Sequence, residues 1–197
     1  MRINEITETF DSKILNYIKQ NCKKYLDEVG GTGNALQNIP LWRGIADSSF
    51  TFGHEEWTRI IPVRQDRRPV TTKPEVQKEL DDWFQQHFGI RFRQSSVFCT
   101  SKWDDARSYQ SSGGTTVIVL PVGNYDYCWS PDVGDLFIVL QQNQGMDIPE
   151  LLDISNYQYN KGLIDAIESE NEIMIRCQSV MLINPNWPAL HRGSGTR

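Results

Sequence analysis

A chain of 197 residues with 39% hydrophobic and 11% aromatic side chains can fill one well-buried core and is short for two, so one domain over residues 1–197 is expected. The formal net charge of -5 speaks against a broad nonspecific grip on nucleic acid, which draws on a positive face. Residues Met1 to Glu5 are polar and no apolar run is long enough to cross a bilayer, so a cytoplasmic protein with no membrane partner is expected, and delivery into a target cell stays open.

Apolar residues at Ile6, Phe10, Ile14, Leu15, Ile18, Cys22, Tyr25 and Leu26 recur every three to four positions and predict an amphipathic helix from about Glu5 to Glu28. Gly30 to Asn34 form the turn that ends it, giving an N-terminal helical part over 1–35 and a β-rich core over 36–190. Ile39 to Gly44 and Trp57 to Arg64 read as strands, and Arg67-Arg68-Pro69-Val70 as extended, because proline biases its predecessor away from helix. Val76, Leu80, Trp83, Phe84 and Phe88 predict a second helix from Lys73 to Phe88 with Pro74 in its first turn.

Beyond Gly89 the runs are β-branched or aromatic and are punctuated by Gly, Pro, Asn and Asp. Strands are expected at Ile90 to Cys99, Thr115 to Val122, Asp135 to Leu140, Glu172 to Cys177 and Ser179 to Asn184. Helices first and strands later indicate α+β rather than alternating βαβ. The tail from Gly193 to Arg197 is polar and expected to fray.

Cys22, Cys99, Cys128 and Cys177 are far apart and lack a Cys-x-x-Cys pair, which fits reduced, buried thiols. His54, His87 and His191 have no metal-ligand spacing, so no metal is expected. No Gly-rich run continues into Lys-Ser or Lys-Thr, and no Gly-x-Ser-x-Gly elbow is present, which removes a nucleotide-hydrolase phosphate loop and an α/β-hydrolase nucleophile. Trp129 reads as core. Arg64, Arg67, Arg68, Lys73, Arg91 and Arg93 form a basic stretch that suits either a solvated surface or a local patch.

Three segments carry chemistry. Arg43 sits between apolar neighbours in Leu41-Trp42-Arg43-Gly44, where a guanidinium can fork onto a phosphate or pair with a core-edge carboxylate. Phe98-Cys99-Thr100-Ser101 ends a strand in two hydroxyls, and Asp104 or Asp105 then opens a short helix bearing Ala106 and Tyr109; such hydroxyls also serve as simple caps. In Glu170-Asn171-Glu172-Ile173-Met174-Ile175 two carboxylates would share one face of an extended chain just before an apolar strand.

Taken in order, Arg43, Phe98-x-Thr100-Ser101 with Ala106 and Tyr109 following, and Glu170-x-Glu172-Ile173-x-Ile175 resemble the three signatures of mono-ADP-ribosyltransferases of the Arg-Ser/Thr-Glu type. The resemblance implies a split β-sandwich preceded by helices, with NAD as substrate in the cleft between the sheets. It implies that Arg43 contacts the NAD diphosphate and helps hold the sheet motif, that Gly44 and Tyr109 bind the cofactor, that Thr100 and Ser101 orient the catalytic glutamate and the nicotinamide-side ribose, that Glu172 is that glutamate, and that Glu170 orients or deprotonates the acceptor. The family's usual Ser-Thr-Ser is here Thr100-Ser101-Lys102 after Cys99, so the working hydroxyl is not singled out. The acceptor expected is a protein, with RNA or DNA as the alternative for a toxin, defence factor or bacterial or phage effector. A silent binding or virion-associated module of the same fold is a third reading, and an antitoxin or chaperone partner stays open.

Overall fold

The N-terminal amphipathic pattern folds as two helices, α1 (Ile3–Asn21) and α2 (Lys23–Val29), in the computed structural model, which describes residues 3–47, 50–68, 72–110 and 113–191. The expected single helix bends at Cys22, where φ is -107°. Its hydrogen bonding carries across the bend, since Cys22 N donates to Ile18 O at 2.8 Å and Leu26 N to Cys22 O at 3.0 Å. Ile14, Ile18, Cys22, Tyr25, Leu26 and Val29 are buried as one stripe. One π-helical turn over Asn34–Asn38 then leads into the sheet.

The remaining elements follow in the order β1 (Trp42–Ile45), β2 (Thr58–Pro62), α3 (Pro74–Phe88), α4 (Phe92–Ser95), β3 (Val97–Cys99), α5 (Trp103–Ser108), β4 (Thr115–Trp129), α6 (Leu136–Gln142), α7 (Ile148–Ile154), β5 (Gln158–Tyr159), α8 (Leu163–Glu168) and β6 (Ile173–Ile183). This is an α+β chain whose six strands join in one open antiparallel sheet. The long central pair is β4 with β6. One half of that pair carries β1 and β2 on its outer edges, and the other half carries β5 and β3. The register slips between Val122 and Tyr125. There Gly123 takes φ 74°, the left-handed backbone that lets an extra residue bulge out and twist the pair.

Two expected strands are helices. Residues 92–95 form the turn α4 because buried Asp81 of α3 accepts from Gln94 N at 3.1 Å and Phe92 packs on Phe84 with ring centroids 6.0 Å apart. Those contacts tie the segment to α3 and leave only Val97 to Cys99 to join the sheet. Residues 136–142 form α6 because the Asp135 carboxylate caps it, accepting from Phe137 N at 2.7 Å and Ile138 N at 3.4 Å. Leu136, Val139 and Leu140 then share one inward stripe, while Ile138 stays exposed. The two expected strands at the C-terminal end are one continuous strand, β6, and β4 runs on from Val122 to Trp129. The expected extended run through Pro69 and Val70 and the tail from Gly193 lie outside the described residues.

Alternation along β4 and β6 feeds two cores. Tyr127, Trp129, Ile173, Ile175 and Cys177 join the larger one beneath α1, α2 and α8, whereas Cys128 and Met174 join a smaller one with Leu80, Phe84, Phe92, Leu136 and Leu152. Trp129 is core, as expected, and its Nε1 donates to Lys161 O at 2.8 Å. All four cysteines are buried and free. Among the described residues no helix is long and apolar enough to cross a membrane.

Candidate functional site

Strand pairing brings the three motif segments together. Cys99 of β3 lies opposite Ile173 of β6, and an isolated antiparallel bridge joins Trp42 to Thr100, with Trp42 N donating to Thr100 O at 2.7 Å and Thr100 N returning to Trp42 O at 3.0 Å. Arg43 is therefore one residue from a strand end whose other neighbour begins one residue after Glu172. Arg43 Nη1 donates to Phe98 O at 3.0 Å. Burial lowers its proton affinity, while the Glu172 carboxylate is near enough to raise it.

Glu172 is placed from both sides. Its backbone N–H donates to Gly134 O at 2.8 Å, and its carboxylate Oε1 accepts from Arg93 Nη1 at 3.0 Å. The pair is well withdrawn from solvent, with side-chain exposures of 11% for Arg93 and 19% for Glu172. Burial pushes the Glu172 carboxyl above its ordinary range, and nearby Asp135 adds to this, against the opposing guanidiniums of Arg93, Arg67 and Arg43. Glu172 is thus a desolvated acid ringed by cations, a setting in which a carboxylate can stabilise developing positive charge or take up a proton.

Phe98 organises the cations. Arg67 Cζ lies 4.1 Å and Arg93 Cζ 4.6 Å from its ring centroid, both within cation–π reach. Arg67 is lowered to about 10, by burial first and then by the neighbouring charges of Arg43 and Arg93. Arg67 Nη1 and Arg93 Nε are buried without a hydrogen-bond partner among the described residues.

The expected hydroxyls serve the loop that carries the acid rather than the acid itself. Thr100 Oγ1 donates to Glu170 O at 2.7 Å and accepts from Lys102 N at 3.1 Å, while Ser101 Oγ donates to Ile167 O. Glu170 departs from the expected shared face. It has φ 61°, so the chain is not extended there, and its half-exposed carboxylate lies 3.9 Å from Lys102 Nζ. Tyr109 is 53% exposed and its hydroxyl bonds the Asp135 carboxylate, which places it at the edge of the Glu172 surroundings. Gly44 is a packing glycine: a Cβ there would stand 2.1 Å from Ala106 O, so α5 can cross β1 only above a bare Cα.

Arg43, Thr100, Ser101 and Glu172 are therefore neighbours, Glu170 borders them on the solvent side, and Gly44 and Tyr109 connect through α5. Arg67, Arg93, Phe98 and Asp135 were missed as site residues. The available signal was the run of basic residues from Arg64 to Arg93, of which Arg91 turns instead to Asp82 at 2.7 Å and Arg64 to Asp66 at 3.7 Å. Two surface cavities, of about 170 and 340 Å³, lie elsewhere, one beside Leu36 and Trp187 and the other beside Trp83 and His87. Comparison of the chain with protein-family models, with curated proteins and with solved structures returns no match.

Proposed function

We propose that this chain is a mono-ADP-ribosyltransferase that uses NAD as donor and a protein side chain, an arginine in the first instance, as acceptor. The observation that carries the reading is that the paired ends of β1, β3 and β6 bring the segments of Arg43 and Glu172, distant in sequence, side by side. The fold that goes with it, two β-sheets facing across a cleft, is part of the proposal: β1 and β2 flank one half of the β4–β6 pair, and β3 and β5 the other.

In the proposed reaction the bond between the ribose and nicotinamide breaks, and nicotinamide leaves with the bonding electrons, which neutralises its ring charge. Positive charge builds on the sugar, as in glycoside hydrolysis. Glu172 stabilises that charge, Arg43 holds the diphosphate still, and Thr100 and Ser101 fix the loop from which Glu172 projects. The acceptor nitrogen then bonds to the ribose and gives up its proton to the Glu170 carboxylate at the solvent edge, which also orients it.

A second reading is a binding module without turnover. It is supported by the engagement of Glu172 with Arg93 and by the half-exposed Glu170. Free nicotinamide separates the two: its release from NAD by the purified chain, lost in Glu172→Gln, supports the transferase, and no release at any enzyme concentration overturns it. Labelling a cell lysate from radioactive NAD, followed by protease or nuclease, assigns the acceptor as protein or nucleic acid.

A further inference from the structure

The chain carries net negative charge, yet Arg67 and Arg93 share the ring of Phe98, whose carbonyl accepts from Arg43, and Arg93 pairs with the partly buried Glu172. Two of the three are partly spent. Arg43 gives a donor to Phe98 O, and Arg93 gives one to Glu172. Arg67 has no side-chain hydrogen bond or ion pair among the described residues, and one of its nitrogens is buried, as is Arg93 Nε, without an acceptor. Burying an unpaired donor is costly, and more so on a charged group. A pair of guanidiniums held on one aromatic ring with donors to spare is an arrangement that oxyanions fill, because each planar fork matches two oxygens of a phosphate.

We propose that Arg67 and Arg93, stacked on Phe98, form a binding site for a diphosphate group, and that Glu172 is the internal carboxylate the incoming anion displaces from Arg93. Both arginines are half-buried rather than sealed from solvent. Binding exchanges one anion for another on Arg93 and supplies acceptors to Arg67, with no covalent step. It also leaves Glu172 free of its partner, which couples occupancy of the site to the state of the acid. The inference stands on the arginine geometry alone and holds whether or not the chain transfers ADP-ribose.

Titration calorimetry of the full chain at low ionic strength tests it, with pyrophosphate and ADP as separate probes. Binding of either is expected, weakened about tenfold by Arg67→Gln and by Arg93→Gln, since one charge-assisted contact is lost in each. Glu172→Gln replaces the charged internal competitor with a neutral amide that holds Arg93 more weakly and is expected to tighten binding about tenfold, a gain that misfolding does not imitate. Pyrophosphate binding as well as ADP marks a site for the free anion, and a preference for ADP marks a nucleotide site; both support the proposal. No binding of either probe, or a Glu172→Gln chain that binds no tighter than the parent, overturns it. If the arginine variants do not fold, the Glu172→Gln result decides. The nicotinamide assay is read separately, so an inert chain that binds pyrophosphate keeps this site and loses the transferase reading.

Discussion

Arg93 Nη1 donates to Glu172 Oε1 at 3.0 Å, and this contact binds the turn after α3 to the start of β6. It makes the two partners unequal under mutation. Arg93→Ala leaves a partly buried carboxylate facing only Arg67 and Arg43 and strips a cation from Phe98. A loss of about 2 kcal/mol is expected in urea unfolding, below the full range for deeply buried pairs because some solvent remains. Glu172→Gln keeps shape and a hydrogen bond to Arg93, so its melting temperature stays within a few degrees of the parent, while under the proposed transferase reading nicotinamide release falls by at least about a hundredfold. Retained activity in Glu172→Gln would remove the acid from the proposed chemistry.

Glu170 lies in left-handed backbone at φ 61°. Glu170→Gly relieves that strain and is expected to hold or raise stability by up to about 1 kcal/mol, whereas Glu170→Ala keeps the strain. Under the transferase reading both variants lose transfer to protein more than they lose hydrolysis of NAD. Equal loss of the two activities would deny Glu170 a role with the acceptor.

Thr100→Val removes the donor to Glu170 O, and Ser101→Ala the donor to Ile167 O. Each is expected to cost about 1 kcal/mol in chemical denaturation. Hydrogen exchange should rise at Glu170 and Asn171 in both, since the loop loses its ties to β3. Unchanged exchange there would mean that the hydroxyls do not hold the loop.

Gly44→Ala places a methyl group 2.1 Å from Ala106 O. Because the obstacle is backbone, α5 must move away from β1, and a destabilisation of about 2 kcal/mol or more is expected by thermal or urea unfolding. A stable Gly44→Ala chain would contradict the close crossing.

The Glu56 carboxyl is held down at about 2, first by its hydrogen bonds from Arg59 and then by the Gly53 N–H. A depressed carboxyl contributes stability above its unfolded value of 4.5 and loses it as the pH falls toward 2. Glu56→Gln is therefore expected to be less stable than the parent at pH 7 and equal to it near pH 2, with a gap that narrows in salt. Glu172 runs the other way: its raised carboxyl favours the folded chain as the pH drops through that raised value toward the ordinary glutamate range, a gain absent in Glu172→Gln.

Periodicity made the α1–α2 stripe and α3 legible, the Gly30 turn, β1 and β2 were visible, and of the central strands the first half of β4 and β6 in two pieces were read as strand. Residues 92–95 and 136–142 were misread because composition favoured strand while a single carboxylate, Asp81 or Asp135, made helix the better state for their amides. Helices α7 and α8 had no counterpart among the expected elements. At the site, the motif segments picked out in the sequence lie side by side, with Trp42 bridged to Thr100 and Cys99 opposite Ile173. The order of motifs could not reveal Arg67 and Arg93, whose placement depends on the Phe98 ring and on Asp81 holding the preceding turn. The shared face expected for Glu170 and Glu172 failed on one dihedral angle that no spacing rule reports.

The bridge between Trp42 and Thr100 carries a temporal consequence. It joins segments that emerge from the ribosome far apart, and its other flank is completed only once β6 has been made. Loop-closure entropy delays such long-range pairings, so the cluster is assembled late, after the local helices have formed. A nascent or truncated chain ending before Ile173 has the guanidiniums without the strand that aligns them with their acid.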